Sequence, residues 1–175
     1  MSFMAYPPPR YGGKTGLVNA RYRPADTDPD LVSGGADGGV TGASRSQRTH
    51  YLATGAGTGG EFGLYRIDMP PLGRGPRTHF HRTISESFFI LSGTVNLFDG
   101  ERWIDATPGD FLYVPIGGLH AFHNSTDEPA SLLLLFAPGA PREGYFEGVT
   151  ADLADMSEQE REEFFLLHDN HWVDD

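Results

Sequence analysis

Between residues 49 and 138 the chain consists of short runs rich in Val, Ile, Leu, Phe and Tyr, closely spaced and broken by turn residues. The runs fall at residues 61–69, 77–81, 86–91, 94–98, 102–104, 110–114, 119–123 and 130–136, with Gly93, Asp99-Gly100, Pro108-Gly109, Gly117-Gly118 and residues 127–129 between them. Strands this short at this spacing predict a sandwich or barrel, because βαβ units would need a helical stretch between successive strands. No internal repeat is visible, so the pattern predicts one barrel.

The flanks differ. Residues 1–15 are proline-rich and polar, and residues 24–48 are nearly free of large apolar side chains. Both read as mobile segments. Between them residues 17–22 (Leu17, Val18, Asn19, Ala20, Arg21, Tyr22) could supply one short strand or belong to a disordered tail. After Pro141, Ser157-Glu158-Gln159-Glu160 forms a capping box, and the following residues 161–167 predict a short helix with Phe164, Phe165 and Leu167 available to dock. The expected organisation is an N-terminal arm and glycine-rich flexible segment at 1–48, a barrel at 49–141 and a helical tail at 142–175.

Composition narrows this picture. Among 175 residues, 23 glycines and 13 prolines argue against a helical bundle. The 12 Phe, 7 Tyr and 2 Trp supply apolar surface for one compact core. A net charge of -11 with no basic run disfavours nucleic acid and anionic membrane surfaces as partners. The N-terminus lacks a charged start followed by an apolar stretch, so a soluble, cytoplasmic protein is expected. With no cysteine, any metal must rest on His, Asp and Glu.

One segment carries candidate chemistry. His79 and His81 stand at i and i+2, so on a strand both imidazoles point to one face, and a turn through residues 82–85 can return Glu86 beside them. His120, after the turn containing Pro115, Gly117 and Gly118, offers a fourth ligand. A lone histidine on an apolar strand is ordinarily a core or surface residue, and His50, His123, His168 and His171 read as non-ligands. His123 is an odd number of residues from His120 and so faces the other way on a regular strand.

These residues resemble the cupin superfamily. Gly73, His79, His81, Glu86 and Gly93 match the first family motif, G(X)5HXH(X)4E(X)6G, and Gly109, Pro115, Gly117, His120 and Asn124 match the second, G(X)5PXG(X)2H(X)3N. The resemblance implies an all-β, double-stranded β-helix (jelly-roll) barrel, here with an N-terminal arm and a short C-terminal helix. It also implies one divalent transition metal, Fe, Ni, Co, Mn or Zn, held by His79, His81, Glu86 and His120. The glycines and Pro115 read as turn residues, and Asn124 as a source of local backbone hydrogen bonds.

Strand parity places Phe88, Ile90 and Phe122 on the inward face with Glu86 and His120, and Arg77 with His79 and His81. Arg77, Phe88, Tyr113 and Phe122 are the candidate substrate-pocket residues, although Phe88 and Ile90 serve equally well as plain core. On the strand at 61–69 parity does not choose between Tyr65 and Arg66. Three imidazoles and a carboxylate around a dication leave one residual positive charge and, in six-coordination, two open positions. The resemblance to single-domain quercetin-dioxygenase-like cupins implies an oxidoreductase, a dioxygenase acting on an enolisable aromatic, flavonol or polyketide-like molecule, with Glu86 as ligand or general base. The alternatives are a non-oxidative isomerase, cyclase or lyase using the same metal, or a barrel that binds a small molecule without turnover. Outward apolar residues, Phe89 and Leu91 and the run Leu132 to Leu135, point to a homodimer.

Overall fold

The computed structural model describes residues 6–33, 46–151, 153 and 156–173. Ten strands come first: β1 (Leu31–Ser33), β2 (Gln47–Ala53), β3 (Gly63–Met69), β4 (His79–Phe80), β5 (Ser85–Ser92), β6 (Val95–Phe98), β7 (Trp103–Ala106), β8 (Phe111–Val114), β9 (Ala121–His123) and β10 (Ala130–Ala137). Two helices, α1 (Arg142–Ala151) and α2 (Glu158–Leu167), and a last strand, β11 (His171–Trp172), complete the chain. One layer is an antiparallel sheet in the order β1-β2-β3-β10-β5-β8. The other runs β7-β6-β9, and a backbone bridge between His79 and His120 extends it to β4 and β11. The result is the expected all-β jelly roll.

Alternation decides which face is buried. In β3 and β10, Tyr65, Ile67, Met69, Leu132, Leu134 and Phe136 all point inward, and Leu134 lies opposite both Tyr65 and Phe88. These side chains form one apolar cluster with Ile84, Phe88, Ile90, Val95, Leu97, Val114 and Phe122. Burial of each such aliphatic or Phe side chain contributes about 1.5–3 kcal/mol. The register also settles β3: Tyr65 is core, whereas Arg66 lies on the outer face, where it contacts His50 and Asp68. A tight turn through Gly93, whose φ of +69° suits glycine, links β5 to β6.

Three local expectations are corrected. Residues 17–22 form no strand; the sheet edge is β1, inside the segment expected to be mobile. Asp30 explains it, since its backbone N–H donates to the Thr49 carbonyl (2.9 Å) and its carboxylate accepts from the Tyr51 N–H (2.8 Å) and Arg23 (2.7 Å). Backbone pairing rather than an apolar pattern holds this strand. Residues 34–45, which make up most of the glycine-rich stretch, lie outside the described residues. At the other end α1 precedes the expected helix, and Phe146 packs its ring 5.1 Å from Tyr65. In α2 the capping box forms between Ser157 and Glu160, and Phe164 and Phe165 dock on Tyr145 and Trp172, but Leu167 is 81% exposed. No helix among the described residues is long and apolar enough to cross a membrane.

The outer face of the large sheet is uncovered in the single chain. Phe89 lies opposite both Leu133 and Phe111, and Phe89, Leu91, Phe111 and Tyr113 are all exposed. Leu132 and Leu134 belong to the core, so only Leu133 and Leu135 of the leucine run face outward.

Candidate metal centre

Three elements converge on one point. Strand β4 and the residue after it carry His79 and His81, β5 carries Glu86 between Val114 of β8 and Phe136 of β10, and His120 immediately precedes β9. His79 and His120 exchange backbone hydrogen bonds of 3.0 Å in both directions, which fixes the two imidazoles side by side with ring centroids 4.2 Å apart. The Gly117 N–H donates to the His81 carbonyl (2.8 Å), and Gly117 takes a φ of +83°, so the second turn is tied directly to the HxH segment. Asn124, just past the other end of β9, fixes that strand's exit: its amide donates to the carbonyls of Pro70 (2.9 Å) and Glu128 (2.8 Å).

Each histidine is oriented by its far nitrogen. Nδ1 of His79 meets the Arg77 carbonyl at 2.8 Å, that of His81 the Asp169 carbonyl at 2.6 Å, and that of His120 the Gly118 carbonyl at 3.0 Å. A carbonyl only accepts, so every Nδ1 carries the proton and every Nε2 is directed inward. Nε2 of His81 and of His120 lie 3.1 and 2.9 Å from the same oxygen, Oε2 of Glu86. One ligand atom from each of the four residues falls within 4.8 Å of the other three, and all four residues are buried. Three inward imidazole nitrogens and one carboxylate, each oriented from behind, fit a divalent transition metal.

Electrostatics agrees with that fit. Burial, with help from neighbouring His120, pushes the His79 imidazole down to about 3, so it stays neutral and able to donate a lone pair. Burial also acts to raise the Glu86 carboxyl, but His120 and His81 outweigh it and hold it below the usual carboxylate range. For His120 burial acts downward, yet Glu86 wins and its pKa is raised. A metal must displace that proton. Metal affinity is therefore expected to fall as pH drops through the raised His120 pKa and to level off above it, measured by competition with a metal-sensitive dye across pH.

A cavity of about 1230 Å³ opens onto the cluster, and His79 and Glu86 are the two members that line it. Arg77 and Phe122, expected pocket residues, also line it. Phe88 and Tyr113 do not, and those two assignments are corrected. Phe88 has the right parity but is fully buried beneath His120, with ring centroids 5.9 Å apart. Tyr113 pairs with Ser87, next to the inward pair Glu86 and Val114, so it points outward and is 57% exposed. His50, His123, His168 and His171 are not part of the cluster.

The C-terminal tail supplies what the motif reading lacked. Strand β11 pairs with β4, placing Trp172 opposite His79 with their rings 5.1 Å apart. Asp169, at a φ of +57°, offers its carbonyl to His81, while its carboxylate accepts from the backbone N–H groups of Arg82 and Thr83 (both 2.9 Å) and from the Thr83 hydroxyl (2.7 Å). Its only sequence signal is an Asp-Asn pair after a helix, where left-handed backbone is tolerated. Asp169→Ala keeps the carbonyl that faces His81 but removes the carboxylate that ties this segment to Arg82 and Thr83, so it is expected to loosen His81 and weaken metal binding by up to ~10-fold. Metal titration of the folded variant checks this.

Comparison with known proteins places the barrel among described relatives. The family model for the cupin domain matches residues 65–136. A quercetin 2,3-dioxygenase of Bacillus subtilis is 31% identical over 94 residues, covering 53% of this chain and 26% of that enzyme, so the chain spans about a quarter of this curated relative's length. A predicted oxalate decarboxylase of Thermotoga maritima superposes with a TM-score of 0.54 at 18% identity, over 66% of this chain and 96% of that one. That likeness establishes the fold. The polyketide cyclase RemF from Streptomyces resistomycificus matches at a TM-score of 0.48 and 22% identity, over 57% of this chain and 70% of that one.

Proposed function

The barrel of this chain, over residues 65–136, belongs to the cupin domain family, and from that premise we propose that the protein is a metal-dependent oxidoreductase, a dioxygenase acting on an enolisable aromatic or polyketide-like small molecule. The observation that carries the proposal is the complete cluster of His79, His81, Glu86 and His120, two of whose members, His79 and Glu86, line a cavity large enough for a drug-sized organic molecule. The name of the curated relative, a quercetin 2,3-dioxygenase, favours oxidative chemistry over the alternatives.

An Fe, Ni, Co, Mn or Zn ion held by the four residues would supply Lewis acidity toward an enolate oxygen and open positions for further ligands. The chain's own residues do the rest. Phe122, Leu134 and Phe136 line the cavity and give a flat apolar molecule its contact surface. Glu86 lines the cavity beside His79 and is the carboxylate placed to take the substrate's enol proton onto Oε1 or Oε2. Its contacts with His81 and His120 keep its basicity low, so proton transfer requires those contacts to loosen.

Dioxygen uptake on a panel of flavonols, diketones and polyketide-like phenols and acids tests the proposal. Uptake that requires metal supports it. Turnover of any of these under argon contradicts the oxidative reading. A second copy of the chain is proposed to cover Phe89, Leu91, Phe111, Leu133 and Leu135. Light scattering at high concentration is expected to give a dimer mass, and a monomer contradicts this.

A further inference from the structure

One buried cation grips the chain on both sides of the carbonyl that orients His81. Arg142, the first residue of α1, is 4% exposed. Its Nη1 donates to the His168 carbonyl (2.6 Å) and its Nη2 to Oδ1 of Asn170 (3.0 Å), so the guanidinium spans Asp169. The Asp169 carbonyl, between those two anchors in the chain, accepts from Nδ1 of His81. Asn170 is itself held: its backbone N–H donates to the Phe165 carbonyl (2.8 Å) and its amide to the Tyr145 hydroxyl (3.1 Å).

The same guanidinium is fixed against the barrel. It lies 4.2 Å from the Tyr145 ring centroid and 5.0 Å from that of Phe136, and Phe136 on β10 pairs with Glu86 on β5. A continuous run of contacts therefore leads from the strand beside Glu86, through Arg142, to the turn that presents the Asp169 carbonyl. Asp169 has left-handed backbone, which a residue with a Cβ keeps only where its surroundings hold it.

Packing alone does not account for an arginine here. Both of its hydrogen-bonded partners are neutral, and a buried charge without a counter-charge is costly where an apolar side chain of similar volume would fill the space. What an apolar side chain lacks is the planar fork, whose end nitrogens reach acceptors on residues 168 and 170 at once.

We propose that Arg142 is a positioning residue for the metal centre: its fork sets where the Asp169 carbonyl lies, and that carbonyl keeps the His81 proton on Nδ1 and Nε2 turned inward. The inference rests on the reading of the four-residue cluster as a metal centre and is independent of the reaction run there.

The test uses the full chain loaded with zinc and isotope-labelled in its histidines. Nuclear magnetic resonance follows the ring N–H protons on Nδ1 of His79, His81 and His120. The carbonyls that hold His79 and His120 belong to Arg77 and Gly118, segments to which Arg142 does not donate, so those two protons are internal controls. In Arg142→Met, exchange of the His81 proton with water is expected to rise at least ~10-fold while the other two change by less than ~3-fold, and zinc affinity is expected to fall by ~10-fold. A merely structural Arg142 would move all three protons together. Circular dichroism confirms that the variant is folded. If it is not, Arg142→Lys carries the test: its single terminal nitrogen cannot span both residues, and exchange at His81 alone is expected to rise at least ~3-fold. Unchanged exchange at His81, parallel acceleration at all three histidines, or wild-type zinc affinity in Arg142→Met overturns the inference. Failure of the wild-type chain to bind zinc overturns it together with the metal centre. Because these readouts involve no turnover, their failure alongside metal-dependent dioxygen uptake removes the positioning role alone, and a selective effect at His81 without uptake removes only the oxidative reading.

Discussion

Replacing His81 by alanine is expected to cost the protein most of its metal while leaving the barrel folded. Loss of a group that merely orients a ligand lowers metal affinity about 10- to 100-fold, so loss of a ligand itself lowers it by at least ~100-fold. The heat stability conferred by metal is lost with it. A ligand present at about 100 times its dissociation constant stabilises the native state by ~2.7 kcal/mol, which in a chain of this size is a melting-temperature gain of roughly 5 to 10 °C. Elemental analysis and melting curves with and without added metal read both effects. Wild-type metal content in the variant contradicts the assignment of His81.

Glu86→Gln separates proton transfer from binding. Glutamine keeps the size and one oxygen donor but cannot accept the proton, so turnover is expected to fall at least ~100-fold at matched metal occupancy, with substrate affinity changed by less than ~10-fold. An equal loss in both would assign Glu86 a role in binding alone. Because the carboxylate touches both His81 and His120, metal content must be measured in the same samples.

The metal cluster was legible in the sequence because its signals are local. Strand parity aligns His79 with His81, a short turn returns Glu86, and His120 follows a glycine-rich turn; each depends on a few neighbouring residues. What stayed hidden depends on pairing between distant segments. The direction of Tyr113 follows from the register of β8 on β5, where Val114, not Tyr113, shares the inward row with Glu86. Phe88 has the inward parity expected of it, but parity gives no depth, and it fills the core below the cluster.

The tail is a stronger case. Helix α1 contains Gly144, Gly148 and Thr150 and lacks a clear apolar stripe, so nothing local announces it. It nevertheless delivers Arg142 and Tyr145 to the cavity, and the strand after α2 delivers Trp172 to the face of His79. Asp169 reaches across 88 residues of sequence to orient His81. The part of the site contributed by this segment lies outside both family motifs, and tertiary contact alone reveals it.

The most direct measurement of the central claim is anomalous diffraction at a transition-metal absorption edge from crystals of the purified, unchelated protein. The account predicts one strong peak inside the barrel, ~2.0–2.2 Å from Nε2 of His79, His81 and His120 and from a carboxylate oxygen of Glu86 if the ion is zinc-like. A peak elsewhere in the molecule, or none in protein that elemental analysis shows to contain metal, would contradict it.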